Sequence, residues 1–247
     1  MATAPLPTRH DEAWRYSAVE ALAQSGVPDW QALAVGAGET VSDSLIVSDA
    51  APILRRRVEV AAGGHYALFA VNAAGALGRV ELEVTLGEGA RFTLGAVTLG
   101  GGDSVREIVT RVTHAAPGGT SEQVVRAVHW GQGAGNFLGT VAVARGAQKT
   151  DAAQSFKGLL LERGAAAHAV PQLEIYADDV KCAHGATVGQ LDEAAAFYLA
   201  ARGIGPDAAR RLLVEAFIGD AFGDLPDDAA RETLTGAALA ALPGAPR

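Results

Sequence analysis

The residues with the densest chemistry lie between Pro171 and Asp192, in the stretch PQLEIYADDVKCAHGATVGQLD. It holds the only cysteine of the chain, Cys182, with His184 two residues on and the carboxylates Asp178 and Asp179 just before. In an extended strand, residues i and i+2 point to the same face. If the segment from Asp179 to His184 continues a strand, Cys182 and His184 share a face, with Val180 in line. A soft thiolate beside an imidazole is half of a metal site. Zinc sites and iron–sulfur clusters take about four protein ligands, and one cysteine cannot build a thiolate-only site. The missing ligands would have to come from a second polypeptide. Neighbours in a strand face opposite sides, so Asp178 and Asp179 suit turn or capping roles better than joint work on one bond.

These residues sit where the sequence changes character. Upstream, from about Val41, the pattern is β. Val80, Leu82, Val84 and Leu86 alternate with Glu81, Glu83 and Thr85, which predicts a half-buried strand. Further strands are expected over Arg91–Leu99, Val105–Thr113, Gln123–Trp130, Phe137–Ala144 and Leu173–Ala177. Glycine clusters at Gly87–Gly89, Gly100–Gly102, Pro117–Gly119 and Gly131–Gly135 separate them. Their spacing exceeds the ~8–12 residues typical of a sandwich. A parallel β-helix or another elongated β-stack suits such strands, although periodicity alone does not exclude a sandwich. Gln148-Lys149-Thr150-Asp151 lacks phosphate-loop glycine spacing and reads as a turn between layers. His114 and His129 fall at strand ends, in structural positions. Arg55, Arg56 and Arg57 read as a solvated strand entrance.

Downstream the chain is helical. Asp192 can cap a helix through Arg202, with Gly203 at its end. Pro206 at the first helical position opens the next helix, with Leu212, Leu213, Ala216 and Phe217 as its apolar stripe and Gly219 closing it. Pro226-Asp227-Asp228 opens a third, through about Leu242. At the other end, Thr8 is a candidate N-cap for a helix carrying Trp14, Ala18 and Leu22 on one face. Gly26 and Pro28 stop it, and a second short helical piece is expected from Trp30 to Leu33. This arm reads as a strap on the larger domain. The organisation expected is a helical arm over residues 1–40, a β core over 41–190 and a helical domain over 191–247.

Composition narrows the classes. Of 247 residues, 49% are apolar, enough for a sizeable core, and the net charge of −8 opposes a nucleic-acid footprint. Charged residues make up 19%, below the usual ~25%, which points to a covered face. A lone cysteine excludes an internal disulfide framework and fits a reducing compartment. The leading MATAPLPTRHDEAW lacks an apolar core of the signal-peptide kind, and no apolar run approaches the ~18 residues of a membrane span. A soluble, cytoplasmic protein with no membrane partner is expected.

Longer segments carry a resemblance. PQLEIYADDVKCAHGATVGQLDEAAAFYLAARGI, with TRHDEAWRYS, HAAPGGTSEQ and AQKTDAAQSFKGLLL, resembles the SufB/SufD family of iron–sulfur cluster assembly scaffolds, and its SufD branch more than its SufB branch. The resemblance implies a right-handed parallel β-helix with a short N-terminal helical arm and a C-terminal helical region. It implies a scaffold subunit without enzymatic activity, pairing with a SufB-like scaffold and docking a SufC-like ATPase. It places His184 and Cys182 at the shared interface as ligands to a transient iron–sulfur cluster or iron. It assigns the ATPase contact to the C-terminal helices, with Asp192, Phe197, Tyr198, Leu213 and Phe217 as candidate partner-binding residues. A homodimer is the expected form of the isolated chain if the same edge self-pairs. Family members are longer between the first helix and the β segment. The competing reading is a β-helix hydrolase or lyase acting on polysaccharide or thioester. A glycosidase needs two carboxylates about 5–10 Å apart across one bond, and only the poorly oriented Asp178 and Asp179 offer a pair. A thiol nucleophile needs a base in hydrogen-bond reach, whereas strand residues two apart are separated by ~6.5–7 Å at their bases.

Overall fold

Runs of five to ten residues, most of them eight or more and each closed by a tight corner, build a coil of strands. In the computed structural model, which describes residues 6–22 and 26–242, there are twelve: β1 (Gln31–Val35), β2 (Thr40–Val47), β3 (Ile53–Val60), β4 (His65–Asn72), β5 (Leu77–Leu86), β6 (Arg91–Gly100), β7 (Val105–His114), β8 (Thr120–His129), β9 (Ala134–Val143), β10 (Asp151–Leu160), β11 (Ala166–Ile175) and β12 (Lys181–Gly189). Odd strands form one six-stranded sheet in the order β1-β3-β5-β7-β9-β11, and even strands a second, β12-β10-β8-β6-β4-β2. Every pairing is parallel. The chain therefore alternates between two sheets as it climbs, which is a parallel β-helix.

Register stacks like positions into columns. Val80, Ile108 and Phe137 succeed one another in the odd sheet, facing Leu68, Phe92, Leu94 and Phe156 of the even sheet in one core. Offset aromatic stacking adds to the burial: Phe137 lies over Phe156 at 5.9 Å and Tyr66 over Phe92 at 6.0 Å. One corner column needs the left-handed backbone at each level. Gly38, Gly63, Gly89 and Gly118 supply it, and Lys149 takes the same conformation at φ 64° in the next layer. The expected turn at Gln148–Asp151 is this corner.

Several local expectations change. The expected helical piece from Trp30 to Leu33 is strand instead, because Gln31–Val35 pairs in register with Arg56–Val60, and tertiary pairing overrides so short a helical pattern. The N-terminal helix resolves into two 3-10 turns, Glu12–Trp14 and Val19–Ala21. Thr8 does not cap it: its amide and hydroxyl both donate to Asp11 Oδ2, at 2.7 and 3.2 Å. Trp14 and Leu22 still share a buried cluster with Ile53 and Leu77. The arm is fastened to the odd sheet by charge. The fully buried Arg79 stacks 3.7 Å from the Trp14 ring centroid, donates to the Ala13 carbonyl at 3.0 Å and pairs with Glu107 at 2.8 Å. Ser17 donates to the same Glu107 at 2.8 Å. The three arginines expected at a solvated entrance lie within β3 and are paired: Arg55 with Glu81 at 2.9 Å, Arg56 with Asp43 at 2.5 Å and Arg57 with Glu83 at 2.7 Å.

The C-terminal helices are α1 (Glu193–Ala201), α2 (Pro206–Gly219) and α3 (Asp228–Ala240). Asp192 and Asp227 cap α1 and α3 through two backbone amides each. The buried face of α2 is Ala209, Val214 and Ile218, with Leu213 and Phe217 half-buried and Leu212 and Ala216 exposed. The expected stripe is thus rotated on the helix. These residues, with Phe222, Leu225, Leu234 and Leu239, cover Phe69, Val71, Val97, Leu99 and Val128 on the outer surface of the even sheet. Among the described residues, no helix is long and apolar enough to cross a membrane.

Candidate functional site

The helices leave one end of the coil bare. β11 and β12 each pair on one side only, with β9 and β10. After Gly189 the chain turns to the side of the even sheet, so nothing among the described residues lies across the last layer. No residue of β11 is fully buried, and all of β12 except Cys182 is exposed.

Cys182 stands opposite Ala152 and packs with Ala152, Val141, Val143 and Ala177, which turns it toward the interior. His184, two residues on, shares that inward direction and stands opposite Gln154. The local structure therefore brings an imidazole and a thiol to one face of the terminal strand. Burial pushes the Cys182 thiol up, and the charge of Asp151 adds to the shift. A thiol so placed stays protonated near neutral pH, and a protonated thiol is a poor metal donor until a cation draws off its proton. Among the described residues, no group of three or more His, Cys, Asp or Glu side chains is disposed to hold a metal ion. Two donors side by side fall short of the about four that a zinc or iron–sulfur site takes.

The other candidates have local roles. Asp178 and Asp179 lie in the bend before β12. The Asp179 amide donates to Gln148 Oε1 at 2.9 Å, its carbonyl accepts from the Lys149 amide at 2.6 Å, and its carboxylate pairs with the Lys149 ammonium. Asp179 thus closes the corner that Lys149 opens. His114 and His129 are fully buried and bonded to Ser121 Oγ at 2.9 Å and to Thr98 Oγ1 at 3.2 Å. Burial lowers both rings to about 4, with the charge of Arg106 adding at His129. Neutral rings of this kind are structural.

Asp192 spends its carboxylate on the α1 cap, accepting from Ala194 and Ala195 at 2.8 and 3.1 Å. It also lines a groove of about 320 Å³ with Leu213, Phe217 and Val188, between the end of β12 and α2. Phe197 and Tyr198 lie outside that groove on α1, 77% and 55% exposed. Sequence reasoning missed Ile175, Tyr176 and Val188, all exposed large apolar residues at the terminal layer, whereas Leu212, expected in the apolar stripe of α2, is exposed. It also missed Gln154, a buried polar residue directly beneath His184. The signal for Gln154 was its place at an inward position between Ala152 and Phe156.

The fold and this end together define a class: a parallel β-helix with an uncapped terminal layer and a helical appendage on one sheet. A family model described as SUF system FeS cluster assembly, SufBD core domain, matches residues 42–217. The chain belongs to the SufBD family. It is 35% identical over 162 residues to an iron–sulfur cluster assembly SufBD family protein of Synechocystis, covering 65% of this chain and 36% of that one. It is 38% identical over 127 residues to the iron–sulfur cluster assembly protein SufD of Escherichia coli, covering 51% and 30%. Against the chloroplastic protein ABCI7 of Arabidopsis thaliana it is 34% identical over 173 residues, covering 69% and 36%. The chain spans about a third of the length of these relatives.

Proposed function

We propose that this chain is a non-enzymatic scaffold subunit of iron–sulfur cluster assembly in the cytoplasm, one that completes its site only against a second β-helix. One observation carries the reading: an imidazole and a thiol at inward register positions of β12, at an end where two strand edges are unpaired and the described residues supply no third donor. Unpaired edges recruit another strand, and a SufB-like β-helix ending in the same way offers one. The cluster, or iron, is the cargo. His184 is its stronger ligand here and Cys182 the weaker, with the remaining donors coming from the partner. In isolation the same edges favour a homodimer.

The helical appendage suits a SufC-like ATPase. Phe197 and Tyr198 on α1, with the groove of Asp192, Leu213 and Phe217, give exposed apolar surface beside the terminal layer. Covering one large apolar side chain contributes about 1.5–3 kcal/mol, so a few anchors suffice for a stable dock. Nucleotide hydrolysis by that partner would act on the helices and, through them, on the shared edge.

The test is anaerobic co-expression with a SufB-like and a SufC-like protein, followed by mass measurement of the purified assembly. A complex containing all three chains is expected. The double variant Phe197→Asp with Tyr198→Asp is expected to release the ATPase while the β-helix pair survives. Retention of the ATPase by that folded variant would refute the docking assignment.

A further inference from the structure

Beneath His184 a polar column runs through an otherwise apolar interior. Gln123 is fully buried and Gln154 is 3% exposed. Register stacks Gln123 on Gln154 and Gln154 on His184. At the inner end the Thr110 hydroxyl donates to Gln123 Oε1 at 2.7 Å. At the outer end both polar atoms of the Gln154 carboxamide, Oε1 and Nε2, are buried without a hydrogen-bond partner. The amide reaches across the interior to Gly139, where a Cβ would stand only 2.7 Å from Nε2. The glycine leaves room for it. Its neighbour Phe156 and the stacked Phe137 offer no hydrogen bond.

A buried carboxamide left unpaired forfeits the hydrogen bonds it would make in water. Gln154 therefore needs partners: below it Gln123 Nε2 is likewise buried and unpaired, and the next side chain outward in its own column is His184, which a carboxamide oxygen with two lone pairs can accept from as well. Adjacent strands are ~4.8 Å apart, a span that stacked side chains bridge with one hydrogen bond. The His184 ring is exposed and free to turn inward to meet the amide.

We propose that Gln154 is the positioning residue for His184: its carboxamide oxygen accepts from the inward ring N–H, and the outward ring nitrogen is left with a free lone pair. A neutral imidazole carries one proton, so an acceptor on one nitrogen clears the other. Metal-ligating histidines are held this way by a second hydrogen bond that sets tautomer and ring direction. The inference rests on the reading of His184 as a shared iron ligand. It adds that the chain presents the lone pair before any partner arrives.

The test uses the full chain with ¹⁵N-labelled histidine, at about pH 8 where an ordinary imidazole is neutral. Long-range proton–nitrogen spectra report which ring nitrogen carries the proton, and His184→Ala identifies the signals. His184 is expected in one fixed tautomer. Gln154→Met should relax it to the mixture of an exposed imidazole, while Gln154→Glu, which keeps an acceptor oxygen, should retain it. A mixed tautomer in the wild-type chain, or a fixed one that survives Gln154→Met, would overturn the assignment. If Gln154→Met does not fold, the wild-type spectrum decides alone: a fixed tautomer sustains the assignment and a mixture overturns it. Failure here leaves the scaffold reading intact, since that reading is judged separately, by whether His184→Ala still assembles clusters in the complex and whether the isolated chain holds iron alone.

Discussion

Gly95→Ala probes how the helical appendage is joined to the β-helix. Gly95 lies in β6 on the surface that the appendage covers. A Cβ there would stand 1.9 Å from the Ala221 carbonyl oxygen and 2.7 Å from the Phe69 ring. A carbon–oxygen contact is comfortable at about 3.3 Å, so the turn at Asp220–Phe222 must retreat by more than ~1 Å. Retreat of that size forfeits up to about half of each dispersion contact it opens. The side chains loosened include Ala221 and Phe222, both buried against Phe69, Val97 and their neighbours. The Arg126–Asp220 ion pair, at 2.5 Å, resists the movement. Overpacking of a closed interface costs about 1–3 kcal/mol, and that range is expected here. The β-helix core lies on the other side of the sheet, so the loss should be local. Hydrogen exchange should quicken across α2 and α3 while β6, β8 and β10 keep their protection, and chemical denaturation should show the appendage melting first. Unchanged exchange in α2 and α3, with stability within ~0.5 kcal/mol of wild type, would refute the close approach of the helices to β6.

Two further perturbations test the buried polar groups. His114 and His129 are neutral in the fold with pKa values lowered to about 4, against an ordinary 6.5. The stability they protect is complete above pH 6.5, where the unfolded chain is also neutral, and is lost as pH falls toward about 4. It amounts to about 3 kcal/mol per ring. A denaturation midpoint that does not move across that window would contradict the burial. Glu107→Ala leaves Arg79 buried with Glu81, at 3.3 Å, as its one remaining carboxylate partner among the described residues. A destabilisation of about 3 kcal/mol is expected, with faster proteolysis of residues 8–22, and Arg79→Met should restore much of it in the double variant.

Much of the fold was legible because the middle of the chain obeys simple rules. From Leu77 to Val143 the alternation is regular and glycine marks the corners, so the expected strands fall within a few residues of β5 to β9. β1 is five residues, Gln31–Val35, and its pattern is as compatible with a helical turn as with a strand until β3 is laid beside it. β10 carries Gly158 and β12 carries Gly185 and Gly189 among small residues of low strand propensity. Their extended state is imposed by pairing with β8 and β10, which no local window contains. The pair Cys182 and His184 was visible because its geometry is local, two residues along one strand. Gln154 was not, because its significance depends on a register match across a turn of the coil. The rotated stripe of α2 was missed for a related reason. Which face of an amphipathic helix is buried depends on the sheet it meets, and here Val214 and Ile218 meet Phe69 and Val97 where Leu212 does not.

A cluster site shared between two chains is to be read from iron and sulfide stoichiometry. The isolated chain, the assembled complex and the complex carrying His184→Ala would be reconstituted anaerobically and measured side by side. Little or no bound iron is expected on the isolated chain. Iron and sulfide in defined ratio are expected on the wild-type complex, with a loss of both in His184→Ala while the complex remains assembled. Tight stoichiometric iron on the isolated monomer, or an undiminished cluster on the His184→Ala complex, would contradict the shared site.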